Sequence, residues 1–364
     1  MGRALEQSLL DEWLERIANK KNVFSTVLCV EDQEQSLSLV SSGGAMKTED
    51  RYFIASVTKL YVTAVILKLR AEQRIGLDDP IGQYLPEEIM AGLHRMENKD
   101  YSGEITVKQL MSNTSGIPDY FSGKVFSDLI AGHDQAWSLD KTLDEARRQQ
   151  PKFKPGQRNK AQYSDTNYRL LGRMIENIKG EPIQNVFKEY IFDRLNLTQT
   201  YFFHDPEDTS PVPFYYKKKR LDLPLYMASI GAEGGIVSTA RETMMFLRSF
   251  FNGELFPIGD LDELQRQWNF LWTPGSFFYG TGISRQPLSP FSLGRGLIGH
   301  WGQSGAFAFH HPESGLYFTG TVNQAVGQSA AVQVMTRIIR YYGREKKTLH
   351  LTQTPHKQKN APPG

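Results

Sequence analysis

Strand-like segments crowd both ends of this chain and leave the middle to helices, and no other feature of the sequence constrains the fold as much. Leu5, Leu9, Trp13 and Ile17 recur every fourth residue, the pattern of an amphipathic helix with one buried face. Two extended runs follow, residues 24–31 and 36–40, then Gly43-Gly44 as a turn, and residues 51–55 form a third short run. The extended pattern returns in the last third. There residues 305–309 and 316–322 flank His310-His311-Pro312-Glu313-Ser314-Gly315 as a hairpin, ahead of a helix over 329–342. The economical architecture is α/β (α+β): an antiparallel sheet from both chain ends, flanked by the terminal helices, with a large, mostly helical insert. Residues 1–55 and 225–345 would form the sheet domain and 56–224 the helical one. A polar tail over 346–364 is expected to remain disordered.

Bulk properties exclude several classes of function. With 364 residues, 40% hydrophobic and 23% charged, the chain reads as an ordinary globular protein. A net charge of +2 gives no reason to expect nucleic acid as a partner, and Lys217-Lys218-Lys219-Arg220 reads as a solvated loop. The single cysteine, Cys29, rules out an intrachain disulfide and sits in an apolar stretch that suits a small core residue. No segment approaches the roughly 20 apolar residues of a membrane span. Glu6, Asp11, Glu12 and Glu15 interrupt any secretory leader, so the expected location is cytoplasmic, although an exported protein lacking its leader would read the same. The eight histidines form no H-E-x-x-H, and neither a metal nor a cofactor is expected.

Three short motifs carry candidate chemistry. In Ser56-Val57-Thr58-Lys59 the serine follows an extended run and opens an apolar helix running to about residue 72, where the helix N-terminus favours its alkoxide. Lys59, three residues on, shares its helical face and can relay its proton. The same spacing occurs at Ser138-Leu139-Asp140-Lys141, but the charged residues after it suit the N-cap of a surface helix. The second motif is Tyr163-Ser164-Asp165. A phenol near an ammonium ionises more readily and can shuttle protons; a core tyrosine at a helix start is the alternative. The third is His300-Trp301-Gly302, before Gln303. A glycine at a strand edge admits a substrate backbone, and the amide after it can pair with that of Ser56 as an oxyanion hole; a glycine-rich bend is the plainer account.

In their order the three motifs resemble those of the class C β-lactamase-like serine hydrolases, a group with D,D-carboxypeptidases, D-aminopeptidases and family VIII carboxylesterases. The resemblance runs from about Val27 to Tyr342 and includes Gly76-Leu77-Asp78-Asp79-Pro80, Thr114-Ser115-Gly116-Ile117-Pro118-Asp119-Tyr120 and Gly234-Gly235-Ile236-Val237-Ser238-Thr239. It implies the β-lactamase/transpeptidase-like fold, with Ser56 acylated, Lys59 and Tyr163 as its base system, and the amides of Ser56 and Gln303 as the oxyanion hole. Asp165, His300, Trp301 and Gly302 would meet the substrate. Two departures stand out. Asp165 replaces the usual asparagine, which should keep Lys59 charged and move proton abstraction toward Tyr163. Positions 301 and 303 lack the hydroxyls that hold a substrate carboxylate, a loss for which Arg285 or Arg295 would have to compensate.

The leading expectation is a hydrolase of small esters or amides that acts through an acyl-enzyme and is weak on β-lactams. A D-amino-acid-specific peptidase or amidase, with Asp165 receiving a substrate ammonium, or a β-lactamase, is the alternative within the fold. A non-catalytic penicillin-binding-like scaffold is the alternative from another class. The expected partner is a small ester, amide or short peptide, with neither nucleic acid nor membrane.

Overall fold

The computed structural model describes residues 5–271, 277–289 and 294–353, with side chains as far as 344. Its centre is an eight-stranded antiparallel sheet. Two strands come from the start of the chain, β1 (Ser25–Asp32) and β2 (Ser38–Gly44). Six come from the end: β3 (Asn269–Leu271), β4 (Phe277–Tyr279), β5 (Ser284–Gln286), β6 (Leu297–Trp301), β7 (Ala306–His311) and β8 (Leu316–Thr321). The spatial order is β3-β4-β5-β6-β7-β8-β1-β2. The two chain ends therefore meet inside the sheet, where Val27 pairs with Thr321 and Asp32 with Leu316.

Both faces of β1 are covered, which explains its unbroken apolar run. Leu28 and Val30 face the layer formed by α1 (Gln7–Ala18) and the last helix, α5 (Gln328–Gln353). Val27 and Cys29 face the opposite core, which contains α2 (Thr58–Ala71) and α4 (Ala240–Phe251). Burial pushes the Cys29 thiol up to about 12, as a core residue requires. Helix α2 is apolar nearly all round and lies in the middle of the molecule, packed against α3 (Asp165–Lys179). The region between α2 and α4 is mainly helical in its regular structure, in short pieces joined by loops. It also contributes the hairpin Phe214–Tyr216/Lys219–Leu221, whose tip carries the exposed basic run.

Several local expectations need correction. The buried stripe of α1 is Leu10, Trp13, Leu14 and Ile17, because a strict four-residue repeat drifts around a 3.6-residue helix and leaves Leu9 at the margin. Gly43 and Gly44 are strand residues paired with Thr26 and Ser25. A Cβ at Gly43 would lie 2.6 Å from the Leu14 carbonyl, so this glycine serves the close seating of α1 on β2. His310 and His311 belong to β7, which shortens the hairpin turn. The last helix continues through residues expected in a disordered tail as far as Gln353, and 354–364 lie outside the described residues. Among the described residues no helix is long and apolar enough to cross a membrane.

Candidate active site

A second, three-stranded sheet brings Ser56 into place. Tyr52–Phe53 pairs with Ile236–Ser238, and the Ile54 amide donates to the Ile236 carbonyl at 3.0 Å. The chain then turns sharply: Ala55 takes a φ of 45°, unusual for a residue with a Cβ, and a 3₁₀ turn over Ala55–Val57 leads into α2. Ser56 is thus held at the head of the central helix. One turn on, the fully buried Lys59 ammonium has three oxygen neighbours. It donates to Ser56 Oγ at 2.9 Å and to the Glu233 carbonyl at 2.7 Å, and it pairs with Asp165 Oδ1 at 2.6 Å. The rings of Tyr163 and Tyr168 flank it at 5.3 and 5.1 Å.

Asp165 opens α3, and its amide donates to Asp119 Oδ1 at 3.0 Å, as does that of Phe121 at 3.1 Å. Loss of water and the neighbouring Asp165 charge push the Asp119 carboxyl up to about 8. Tyr163 is also shifted upward, by burial first and by Asp165 second, while its hydrogen bond with Ser56 opposes the rise. The expectation that a nearby ammonium eases ionisation of this phenol is therefore reversed, because desolvation and the carboxylate outweigh it.

The third motif is arranged differently from the sequence expectation. His300 is buried, and burial and the Lys59 charge bring it down to about 3, so it is neutral at ordinary pH. Its Nδ1 lies 2.6 Å from the Trp301 carbonyl and therefore carries the hydrogen, leaving Nε2 to accept from the Tyr279 hydroxyl at 3.0 Å. Tyr279 in turn lies 2.9 Å from the Tyr168 hydroxyl. His300 thus forms part of the wall behind Lys59, held there through Tyr279. Trp301 points to the other face of the sheet, where it packs on Phe307 and Phe309, because neighbouring strand residues alternate sides. Gly302 makes room for protein, not substrate: a Cβ there would lie 2.3 Å from the Ile54 carbonyl. That close approach sets Gln303 beside Ser56. Arg285 stacks over Trp268 and Phe278, Arg295 is exposed, and neither lines the cleft. Ser138, the competing serine, caps the helix Leu139–Arg147 by accepting from the Lys141 amide.

The cleft at Ser56 encloses about 620 Å³, part of it open to solvent. Ser56, Asp165, Glu233 and Gln303 lie along it, and most of the remaining lining is aromatic or aliphatic.

A model of the beta-lactamase family matches residues 10–339. The chain belongs to this family. The Escherichia coli (strain K12) protein provisionally named D-alanyl-D-alanine carboxypeptidase is 31% identical over 156 residues, 42% of this chain and 33% of that protein. A Bacillus subtilis (strain 168) relative named for penicillin binding is 24% identical over 243 residues, 65% of this chain and 54% of its own. These alignments span a third to about half of the relatives' own lengths. Among solved structures, a D-stereospecific amidohydrolase from Streptomyces sp. superposes with a TM-score of 0.74 at 27% identity, covering 90% of this chain and 97% of its own. The D-amino acid amidase of Ochrobactrum anthropi SV3 superposes at 0.75 with 20% identity, over 90% and 97%, a likeness of fold.

For this beta-lactamase-family chain, the structure brings together Ser56, Lys59, Tyr163, Asp165 and Gln303. It adds three residues to which the sequence reading gave no role. Asp119 stood in a recognised block, next to a proline breaker. Glu233 had one available signal, a lone carboxylate between glycines in apolar surroundings. Tyr279 had none.

Proposed function

We propose that this chain is a serine hydrolase that passes the acyl group of an ester or small amide to Ser56 and then to water, with little action on β-lactams. The observation that carries the reading is Ser56 Oγ at the head of α2, 2.9 Å from the buried Lys59 ammonium and open to the cleft. Attack by Ser56 Oγ forms an ester bond with the substrate carbonyl carbon, and the bond to the leaving group breaks. As an ammonium, Lys59 already directs protons at three oxygens. It can take the serine proton only by yielding one of its own to Asp165, which stands at ion-pair distance. Tyr163, held in its phenol form, suits the opposite role and protonates the departing alkoxide or amine. The Ser56 and Gln303 amides are assigned to the carbonyl oxygen as negative charge develops there. Water then repeats the sequence and releases the acid and free Ser56.

The reading is tested by mass spectrometry of the intact protein after a fluorophosphonate, with turnover of a short-chain p-nitrophenyl ester assayed alongside. A single adduct on Ser56, and no turnover by Ser56→Ala, are expected. Labelling at Ser138, or full activity in Ser56→Ala, would overturn it.

A further inference from the structure

The basic run at the hairpin Phe214–Tyr216/Lys219–Leu221 is one half of a larger basic face. The other half is Lys20-Lys21, which follows α1 and is brought alongside by a single buried side chain. Gln324 Nε2 donates to the Asn22 carbonyl at 2.6 Å and to the Lys217 carbonyl at 2.8 Å, while its Oε1 accepts from the Lys217 amide at 2.8 Å. Lys20, Lys21, Lys217, Lys218, Lys219 and Arg220 are all exposed. Arg220 stands 3.7 Å from the Asp222 carboxylate, but among the described residues none of the five lysines has a carboxylate at ion-pair distance. Large apolar groups are exposed in the same place. The Phe24 ring, 41% exposed, lies 4.6 Å from that of Tyr215. Val326, 47% exposed, follows Ala325, whose amide donates to the Tyr215 carbonyl at 2.7 Å. Strand residues alternate sides, so Tyr215 faces outward while its neighbour Phe214, with Leu221 and Ala325, lines the cleft at Ser56.

We propose that this face docks on an anionic lipid bilayer, with the lysines at the headgroups and Phe24 and Val326 at the boundary of the acyl chains. The mixture of groups selects among polyanions. The phosphates of a nucleic acid would satisfy the lysines and leave Phe24 and Val326 in water, whereas a bilayer surface receives both. Lysine stems are long enough to keep their ammonium groups among the headgroups while the shorter apolar side chains go deeper. Attachment of this kind is peripheral and needs no spanning helix. The expectation of no membrane partner rested on a net charge of +2 and on the lack of an apolar span, and neither measures a local surface. Docking there brings lipid next to the cleft, because the same hairpin forms one of the cleft's walls. The inference adds a binding surface to the hydrolase reading and does not depend on it.

The test is sedimentation of the full chain with vesicles of phosphatidylcholine, alone or with about 30% phosphatidylglycerol, in about 0.1 M salt. The partition coefficient is expected to be at least tenfold higher on the anionic vesicles and to fall as salt rises. Lys217→Gln combined with Lys218→Gln removes two unpaired charges and spares the backbone bonds to Gln324, so it should lower anionic partition about tenfold with Tm unchanged. Phe24→Ser should lower it several-fold on the same vesicles, and where loss of the Tyr215 contact reduces Tm, Val326→Ser gives the same reading. Equal partition onto both vesicles, or a partition unchanged in the double lysine variant or in both serine variants, would overturn the proposal. A duplex oligonucleotide bound alike by the unmodified chain and Phe24→Ser, without partition onto vesicles, would overturn it in favour of nucleic acid. Partition is read without substrate, so its failure leaves the hydrolase reading standing.

Discussion

The Lys59 ammonium lies closer to Asp165 Oδ1, at 2.6 Å, than to Ser56 Oγ, at 2.9 Å. The pair is almost dry, with Lys59 fully buried and the Asp165 side chain 13% exposed. Removing one partner of such a pair leaves a buried charge uncompensated, at a cost on the order of 3 kcal/mol. Asp165→Asn should therefore lower Tm by several degrees and also cut kcat, since the acceptor for the lysine proton is gone. A variant with unchanged Tm and an unchanged pH–rate profile would show that Asp165 acts only as a helix-start residue.

Tyr163→Phe should separate substrates by leaving group. With burial and Asp165 holding the phenol protonated, its loss matters most where the departing group needs a proton. An amide should slow by about 10²–10⁴, the usual range for general acid–base catalysis, and a p-nitrophenyl ester by much less. Equal losses on both, read from kcat, would assign the tyrosine to proton abstraction instead.

Nitrocefin should be a poor substrate beside a p-nitrophenyl ester. Its carboxylate would enter a cleft that already carries Asp165 and is otherwise mostly apolar. The polar groups nearby are committed: Ser304 Oγ donates to the Phe53 carbonyl and Gln303 Nε2 to that of Ala325. A nitrocefin kcat/KM equal to or above the ester value would contradict this reading.

Stability should fall through the neutral range. Asp119 and Glu233 titrate at about 8 in the fold, against ordinary values of 3.8 and 4.5. Between those limits the folded protein keeps protons that the unfolded chain has released, so stability declines as pH rises from about 4 to about 8 and levels off above. Asp119→Asn retains an oxygen for the two amides and has no proton to lose, so it should gain Tm relative to the unmodified chain at pH 9 compared with pH 5. Parallel Tm curves for the two proteins would refute the assignment.

Gly302→Ala should damage catalysis more than folding. The added Cβ cannot sit 2.3 Å from the Ile54 carbonyl, so the segment carrying Gln303 must move away from Ser56. We expect a cooperative melt weakened by about 1–3 kcal/mol and a kcat reduced at least tenfold with KM little altered. Unchanged kcat would mean that the Gln303 amide plays no part in the reaction.

The legible parts of the molecule were those in which the signal is local. Ser56 and Lys59 share a helical face, and Val27 to Val30 form an apolar run that only a strand covered on both faces requires. Trp301 differs from expectation because motif spacing does not say which way a strand residue points, and its neighbour His300 takes the inward side. Gly43 reads as a turn residue in the sequence because its reason, the backbone of α1, lies elsewhere in the chain. Glu233 and Tyr279 reach the site through contacts with Lys59, Tyr120 and His300, and a sequence shows no such neighbours.

The pairing of β1 with β8 also governs when this protein can fold. Roughly 290 residues separate Val27 from Thr321, so at translation rates of about 5–20 residues per second the ribosome needs on the order of 15–60 s to supply the missing strand. Throughout that interval the β1–β2 ribbon has an open edge, and α1 lies over a half-built sheet. The nascent chain therefore presents a sticky, unpaired strand for most of its synthesis, and its yield in a cell depends on whatever shields that edge until the last strands emerge.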